Sequence, residues 1–367
     1  MQRSKKEPLK AQIKRHASKQ PEKESTVINP EDLIPMGSTL LNLAMSDTIH
    51  GGAKKGTMIN IIGASHGGKT ILALTCFAET NRKKSFDDYQ FIYDDVERAN
   101  SFDMVRLFGN GAAKRIIAPR NGTENEYSPT VQHFHANVNY WIKKSEPFIY
   151  ILDSFDALDA LEDQKKTEEM IQGLEKGKET AGTYGMAKAK AASSILRNVT
   201  SSLANSKAAL FVVSQVRDNV DPMSFSKETR SGGRALKFYA SHEMWMHSIK
   251  AIKKKDTVIG NTVRVKISKN KLTGKVREVK FDVYYDYGID DIGACIAYLI
   301  EQGRWTGGGS AKINHDGDFD FENCTKSKMV QLIGDSQEHY MKLKKLTAKV
   351  WHEFEDSLKL GRKPKYE

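Results

Sequence analysis

Gly63-Ala64-Ser65-His66-Gly67-Gly68-Lys69-Thr70 is a GxxxxGK[ST] octapeptide set between an apolar run and an amphipathic stretch. Its glycines suit a loop whose backbone N–H groups turn inward around phosphate oxygens, in conformations a Cβ would obstruct. Lys69 then supplies a cation to the outer phosphates, and the Thr70 hydroxyl is placed to ligate magnesium. The helix that opens here presents its N-terminus, which favours anions. The chemistry implied is binding of a nucleoside triphosphate.

A second phosphate-site element is an Asp at the end of another buried strand. Phe148-Ile149-Tyr150-Ile151-Leu152-Asp153-Ser154 provides it, with Asp153 behind the metal shell. Hydrolysis also needs a carboxylate to polarise the attacking water. The run Asp94-Asp95-Val96-Glu97 follows Tyr89–Tyr93, so Glu97 is the expected group and Asp95 the alternative. Capping of the next helix is the other use for these acids. A polar sensor of the γ-phosphate is expected after a further strand, where Ser214-Gln215 follows Ala209–Val213.

The elements that must hold these groups are legible as well. The runs Met58–Ile62, Tyr89–Tyr93, Phe148–Leu152 and Ala209–Val213 do not alternate, which predicts strands buried on both faces. Amphipathic stretches at Thr70–Asn81, Val131–Lys143 and Met186–Leu203 predict the crossover helices. The expected fold class is α/β, a mostly parallel sheet flanked by helices. Beyond Lys250, Val263–Ile267 and Val279–Tyr285 flank Thr273-Gly274 and predict an antiparallel hairpin. Ile289–Gln302 predicts a helix, Gly307-Gly308-Gly309-Ser310 a flexible link, and Lys326 to Leu358 further helix. The expected parts are a basic N-terminal segment over 1–33, a core over 34–288 and a small C-terminal α/β module over 289–367.

On the helix from Met186, the residues Ala192, Ile195, Leu196, Val199 and Leu203 form an apolar stripe at spacings of three and four. Lys190, Ser193 and Arg197 share another face. A cation, a hydroxyl and a second cation suit successive phosphates of a nucleic-acid strand, and a solvated face accounts for them too.

One stretch narrows the field. Glu228-Thr229-Arg230-Ser231-Gly232-Gly233-Arg234-Ala235-Leu236-Lys237-Phe238-Tyr239-Ala240-Ser241 closely resembles the segment that closes the second DNA-binding loop of bacterial RecA recombinases. Val265-Lys266-Ile267-Ser268-Lys269-Asn270-Lys271 resembles the lysine pair of that family, and Tyr285-Asp286-Tyr287-Gly288-Ile289 its adenine-side turn. The likeness runs from about Met36 through the C-terminal module, with matching spacing from Lys190 to Gly288.

The resemblance implies a RecA-like P-loop ATPase core using ATP and Mg2+. Gly63, Ala64, Ser65, His66, Gly67, Gly68, Lys69, Thr70 and Ile71 would then hold ATP, with Thr70 and Asp153 at the metal and Tyr285 along the base. Glu97 would match the catalytic glutamate through the shared Asp-x-Glu pattern, and Gln215 the glutamine that couples γ-phosphate to the DNA loop. Lys269 and Lys271 would reach the ATP of a neighbouring subunit, as an arginine finger does. The first DNA loop would span about 177–186, and the second would lie between Arg217 and Gly233. Met186, Lys190, Ser193, Arg197, Arg217, Val220, Ser231, Gly232, Gly233 and Arg234 would form the DNA surface, with Lys237 and Phe238 at a subunit interface. Ser101 and Met104 stand where the family often has an adenine-contacting Asp and Tyr. The chain ends in a basic tail, where the family's is acidic.

Composition agrees with this and excludes other classes. Among 367 residues, 39% hydrophobic and 28% charged fit a globular chain and exclude a disordered or collagen-like one. A net charge of +11 suits a polyanionic partner. The first 25 residues hold eight Lys/Arg against three Glu, 8 − 3 = +5, which suits a solvated tail or an arm packing on a neighbouring subunit or nucleic acid. Cys76, Cys295 and Cys324 lack CxxC spacing, which excludes a disulfide framework or a thiolate zinc site. Asp316-Gly317-Asp318-Phe319-Asp320 mimics a calcium loop, but Phe321 and Ser327 occupy the positions that need Gly and Glu. Without a spanning apolar run or a secretory signal, no membrane association and a cytoplasmic location, in a bacterial or phage-infected cell, are expected.

The function these expectations converge on is an ATP-dependent recombinase. It would form a helical filament of its own copies on single-stranded DNA and exchange strands with homologous double-stranded DNA. A RecA-fold ring helicase and a mediator that uses ATP as a switch without turnover are the alternatives. Lys269-Asn270-Lys271 favours the filament over the ring. The intact Lys69, Thr70 and Asp153 favour turnover.

Overall fold

The computed structural model describes residues 28–362 apart from 121, 124–125, 176–185, 219–227 and 231–232. The basic segment up to residue 27, most of the first expected DNA loop, and Val220, Ser231 and Gly232 lie outside the described residues. An antiparallel ribbon of β1 (Leu33–Ile34) and β2 (Ala53–Lys54) brackets the helix Thr39–Ser46. The main sheet comprises β3 (Met58–Gly63), β4 (Gln90–Asp95), β5 (Ile116–Ile117), β6 (Phe148–Asp153) and β7 (Ala209–Asp218). It continues with β8 (Glu228–Arg230), β9 (His242–Lys254), β10 (Thr257–Asn270), β11 (Arg277–Tyr284) and β12 (Gly288–Asp290). The spatial order is β12-β11-β10-β9-β3-β7-β6-β4-β5, with β8 pairing β7 off this path. From β9 to β5 all neighbours are parallel, and from β9 to β12 all are antiparallel.

Residue alternation divides the core into two layers around this sheet. Ile59, Ile61, Ile149, Ile151, Phe211 and Val213 point to the face covered by Thr39–Ser46 and Lys69–Thr80. Met58, Tyr150, Leu152, Leu210 and Val212 point to the other, beneath Val131–Lys143 and Met186–Ser206. Covering on both faces is why β3 is buried at every position and its sequence does not alternate. The apolar stripe Ala192, Ile195, Leu196, Val199 and Leu203 packs inward as expected. The predicted hairpin is present, with Val263 opposite Phe281 and Gly274 at φ 72° in the turn. The helix Leu161–Glu175 was not anticipated. Its described side chains are exposed or half-buried, so no apolar stripe announces it.

The C-terminal region departs from expectation at two points. The boundary at 288/289 falls inside β12, whose pairing with β11 carries the sheet to Asp290; the helix runs Asp291–Glu301. The glycine run is no loose link but a hairpin of β13 (Thr306–Gly308) and β14 (Ala311–Asn314). Gly307, Gly308 and Gly309 hold φ of 94°, 110° and 62°, which other residues rarely adopt. A separate apolar cluster joins Ile296, Leu299, Trp305, Ile313, Phe319, Met329 and Leu343. The acidic loop is spent on Arg304, whose Nη2 donates to Asp318 at 2.6 Å, and Trp305 Nε1 donates to Asp318 at 2.7 Å. Among the described residues no cluster of three metal-ligating side chains occurs. None of the described helices is long and apolar enough to cross a membrane.

Polar clamps fasten this region to the sheet. The buried Arg277 guanidinium donates to Glu355 at 2.7 and 2.9 Å on the helix Gln337–Ser357. It also donates to the Leu43 and Ala44 carbonyls and pairs with Asp47. Asp291 accepts from the Thr39 and Tyr340 hydroxyls, each at 2.7 Å.

Candidate nucleotide site

Register alone brings the expected groups together. Gly63, the last residue of β3, lies beside Gln215 on β7, while Asp95 on β4 lies beside Asp153 on β6. The carboxyl ends of four parallel strands thus form one crevice, the usual ligand position of an open α/β sheet. The loop crosses it. A Cβ on Gly63 would stand 2.7 Å from the Met246 carbonyl oxygen, and Gly68 caps Lys69–Thr80 at φ 81°. Ala64, Ser65 and His66 are exposed over the crevice, whereas Gly67 and Ile71 are buried. Lys69 is buried, its Nζ donates to the Ala64 carbonyl at 2.7 Å, and burial holds its pKa below the usual lysine range. A phosphate oxygen can replace that carbonyl as acceptor without moving the lysine far.

The Thr70 hydroxyl donates to Asp153 Oδ2 at 2.7 Å, and the Tyr93 hydroxyl to the same oxygen at 3.1 Å. Burial pushes the Asp153 carboxyl above its ordinary value, against the pull of these bonds. A hydroxyl and a carboxylate this close are the hard oxygen donors that magnesium takes. Glu97 Oε1 accepts from the Ser154 hydroxyl at 2.7 Å, and Asp95 Oδ2 accepts from the Asn100 amide at 3.1 Å. Thr70, Tyr93, Asp95, Glu97 and Asp153 line one small cleft of about 110 Å³. Ser154 is the supporting group that motif reasoning missed, although it directly follows Asp153.

A larger pocket of about 420 Å³ adjoins the phosphate loop. Tyr285 lines it, as expected, together with Phe102, Asn261, Val263 and Val283. Asn261 Nδ2 donates to the Tyr285 hydroxyl at 3.1 Å. Met104 packs against the core and Phe102 is the aromatic at the pocket wall, so the departures at Ser101 and Met104 leave an aromatic surface in place.

Of the remaining expected residues, Gln215 borders this crevice and the others lie away from it. Ser214 turns inward to Asn60 Oδ1 at 2.8 Å, leaving Gln215 as the half-buried neighbour of the loop. Lys190, Arg197, Arg217 and Arg234 are exposed, Ser193 is half-buried, Met186 opens its helix and Gly233 opens Gly233–Tyr239. Arg197 Nε donates to the Tyr239 hydroxyl at 3.1 Å. Lys237 is exposed and Phe238 is 71% exposed. Lys269 Nζ donates to the carbonyls of Lys237 and Phe238, and Lys271 is exposed. Asn270 pairs with His242, which pairs with Ile59, so both lysines sit at the end of the sheet opposite the phosphate loop. From Val263 in the base pocket to Lys269 is roughly 20 Å along one strand. Neither lysine belongs to its own chain's nucleotide site.

Residues 149–290 match the family described as RecA N-terminal domain. The chain is 32% identical over 265 residues to Protein RecA of Ehrlichia ruminantium, covering 72% of this chain and 67% of that one. It is 31% identical over 275 residues to Protein RecA of Streptomyces ambofaciens, covering 75% and 66%. With Protein RecA of Bartonella henselae the identity is 31% over 285 residues, covering 76% and 73%.

Proposed function

The chain belongs to the RecA family, and from that membership we propose that it is a DNA-dependent ATPase that assembles on single-stranded DNA as a recombinase. The observation that carries the proposal is the convergence of Lys69, Thr70, Asp153, Glu97 and Gln215 at adjoining strand ends. ATP lies with its phosphates in the Gly63–Thr70 loop and its base against Tyr285 and Phe102. Thr70 and Asp153 would hold magnesium, which would supply charge neutralisation on the phosphates. Glu97, fixed by Ser154, polarises the attacking water, and Lys69 stabilises the charge that develops on the γ-phosphate. Gln215 senses that phosphate and passes its state along β7 toward the second DNA loop. Lys269 and Lys271 act on the ATP of the next subunit, which fits their distance from their own. ATP at subunit interfaces therefore holds the DNA-bound filament, and hydrolysis releases it. Strand exchange with a homologous duplex is the outcome of that cycle.

The test is electron microscopy of the protein with single-stranded DNA and a non-hydrolysable ATP analogue, beside a strand-exchange assay. Helical filaments and exchanged product are expected. Closed rings would support the helicase alternative and end the recombinase reading. DNA binding without ATP turnover would leave the switch-like mediator.

A further inference from the structure

Directly after Asp153 and Ser154 the chain makes a single 3-10 turn, Phe155–Ala157, and this turn carries a buried carboxylate outside the cleft already described. The Asp156 side chain is 8% exposed. Its Oδ2 accepts the main-chain amide of Gln215 at 2.7 Å. Its Oδ1 has no hydrogen bond and faces Arg217 Nη2 at 3.6 Å. The carbonyl of the same residue accepts Lys188 Nζ at 2.9 Å, from the helix that bears Lys190, Ser193 and Arg197. The Lys188 ammonium also lies 5.2 Å over the ring of Phe155, itself buried.

Three elements therefore meet at one residue: the end of β6, the end of β7 and the start of a long helix. A buried carboxylate is costly unless its charge is answered, and here the answer comes from Arg217 and Lys188. The Gln215 main-chain amide and the Arg217 guanidinium come from the same strand two residues apart, and one carboxylate meets both. A displacement of the β7 backbone at Gln215 stretches the bond to Oδ2 and shifts the distance from Oδ1 to Arg217. A cation drawn from Arg217 toward a phosphate backbone leaves Oδ1 unanswered and pulls in the reverse direction. Reciprocity of this kind is what linked binding at two sites requires.

We infer that Asp156 is a positioning residue that links the nucleotide-sensing end of β7 to the DNA-facing elements at Arg217 and Lys188. The inference rests on the ATPase reading above. Asp156 touches neither nucleotide nor DNA, and acts by fixing Gln215 and the two cations relative to one another.

The test uses the full chain, an oligothymidine strand, and either a non-hydrolysable ATP analogue or ADP. Asp156→Asn keeps an acceptor for the Gln215 amide and removes the charge facing Arg217. Lys188→Met removes the tie to the Asp156 carbonyl and keeps most of the side-chain volume. In each variant, analogue binding without DNA is expected near the wild-type value. The ratio of DNA affinity with analogue to that with ADP should fall about tenfold, as should DNA stimulation of turnover, toward the lower end of the usual range for coupled sites. Asp156→Glu, which retains the charge, should recover part of the ratio. Wild-type ratios in both Asp156→Asn and Lys188→Met overturn the inference. So does an equal loss of DNA affinity in both nucleotide states, the mark of a merely structural role. A wild-type protein without DNA-stimulated turnover defeats the ATPase reading itself, and the coupling with it.

Discussion

Two cations of this chain, each proposed to meet a phosphate, stand in opposite surroundings. Lys69 is buried, hydrogen-bonded to its own loop and desolvated, whereas Lys190 stands exposed on the helix Met186–Ser206. A charge held in a low-dielectric crevice acts strongly on one fixed phosphate and is hardly screened by salt. An exposed charge acts weakly, on any phosphate in reach, and through displaced counterions. On the proposed reading the phosphate loop favours position and the helix face tolerance. Variants at the two places should therefore fail in different ways.

The largest effect is expected at the loop. Lys69→Ala should abolish ATP turnover and nucleotide-dependent DNA binding, because among the described residues no second lysine or arginine lines the loop pocket or the adjoining cleft. Turnover at the wild-type rate in a steady-state assay would show that the phosphates lie elsewhere. Next comes the pair at the far end of the sheet. Lys269→Ala with Lys271→Ala should leave analogue binding intact and remove DNA-stimulated turnover. Mixing that variant with Lys69→Ala protein should restore part of the turnover where intact halves of the two meet. Mixed filaments with no recovery would place the lysines outside the reaction.

A third expectation concerns acid. His242 is buried at the start of β9, and burial lowers its pKa from the usual 6.5 to about 4. The unfolded chain therefore takes up a proton that the folded one refuses across that window. The stability involved is intact above pH 6.5 and is lost as pH falls toward 4, up to about 3 kcal/mol. Urea unfolding at a series of pH values should show a shallower acid loss in His242→Leu than in the wild type. Lys190→Ala, on the exposed face of its helix, should keep the wild-type profile. The smallest effect belongs to the helix face. Arg197→Ala should weaken binding to all single strands and flatten the salt dependence by roughly 0.7 in log–log slope, the value for one phosphate. An unchanged slope would move the DNA surface off this helix.

Much of this was legible in the sequence, for a physical reason. A strand buried on both faces must be apolar throughout, and a phosphate loop must be glycine-rich, so Met58–Ile62 and Gly63–Thr70 declare themselves locally. Register then follows from packing, and with it the meeting of Gly63 with Gln215. What escaped were single polar residues whose partners are distant in sequence. Asn261, Ser154 and Asp156 bond to residues 24, 57 and 59 positions away, and no periodicity marks such pairs. The glycine run at 307–309 failed differently. Glycine permits both a loose link and a tight left-handed turn, and only the pairing of Thr306 with Asn314 decides between them.

The Arg277 clamp bears on how this chain can be divided. The C-terminal region has its own apolar cluster, which invites cutting the polypeptide after Gly288. Such a fragment would keep the guanidinium, two backbone carbonyls and Asp47, but lose Glu355. The buried guanidinium would then have Asp47 alone to answer its charge, where the whole chain gives it two carboxylates. It would also lose Asp291 from the Thr39 hydroxyl, and strip Trp351 from the apolar layer beside β11. The last helix is thus a foundation stone of the sheet it is clamped to. A shortened protein should be sought by trimming beyond Leu358, and a fusion partner at that end should be given a spacer so that it does not lever the helix from its seat.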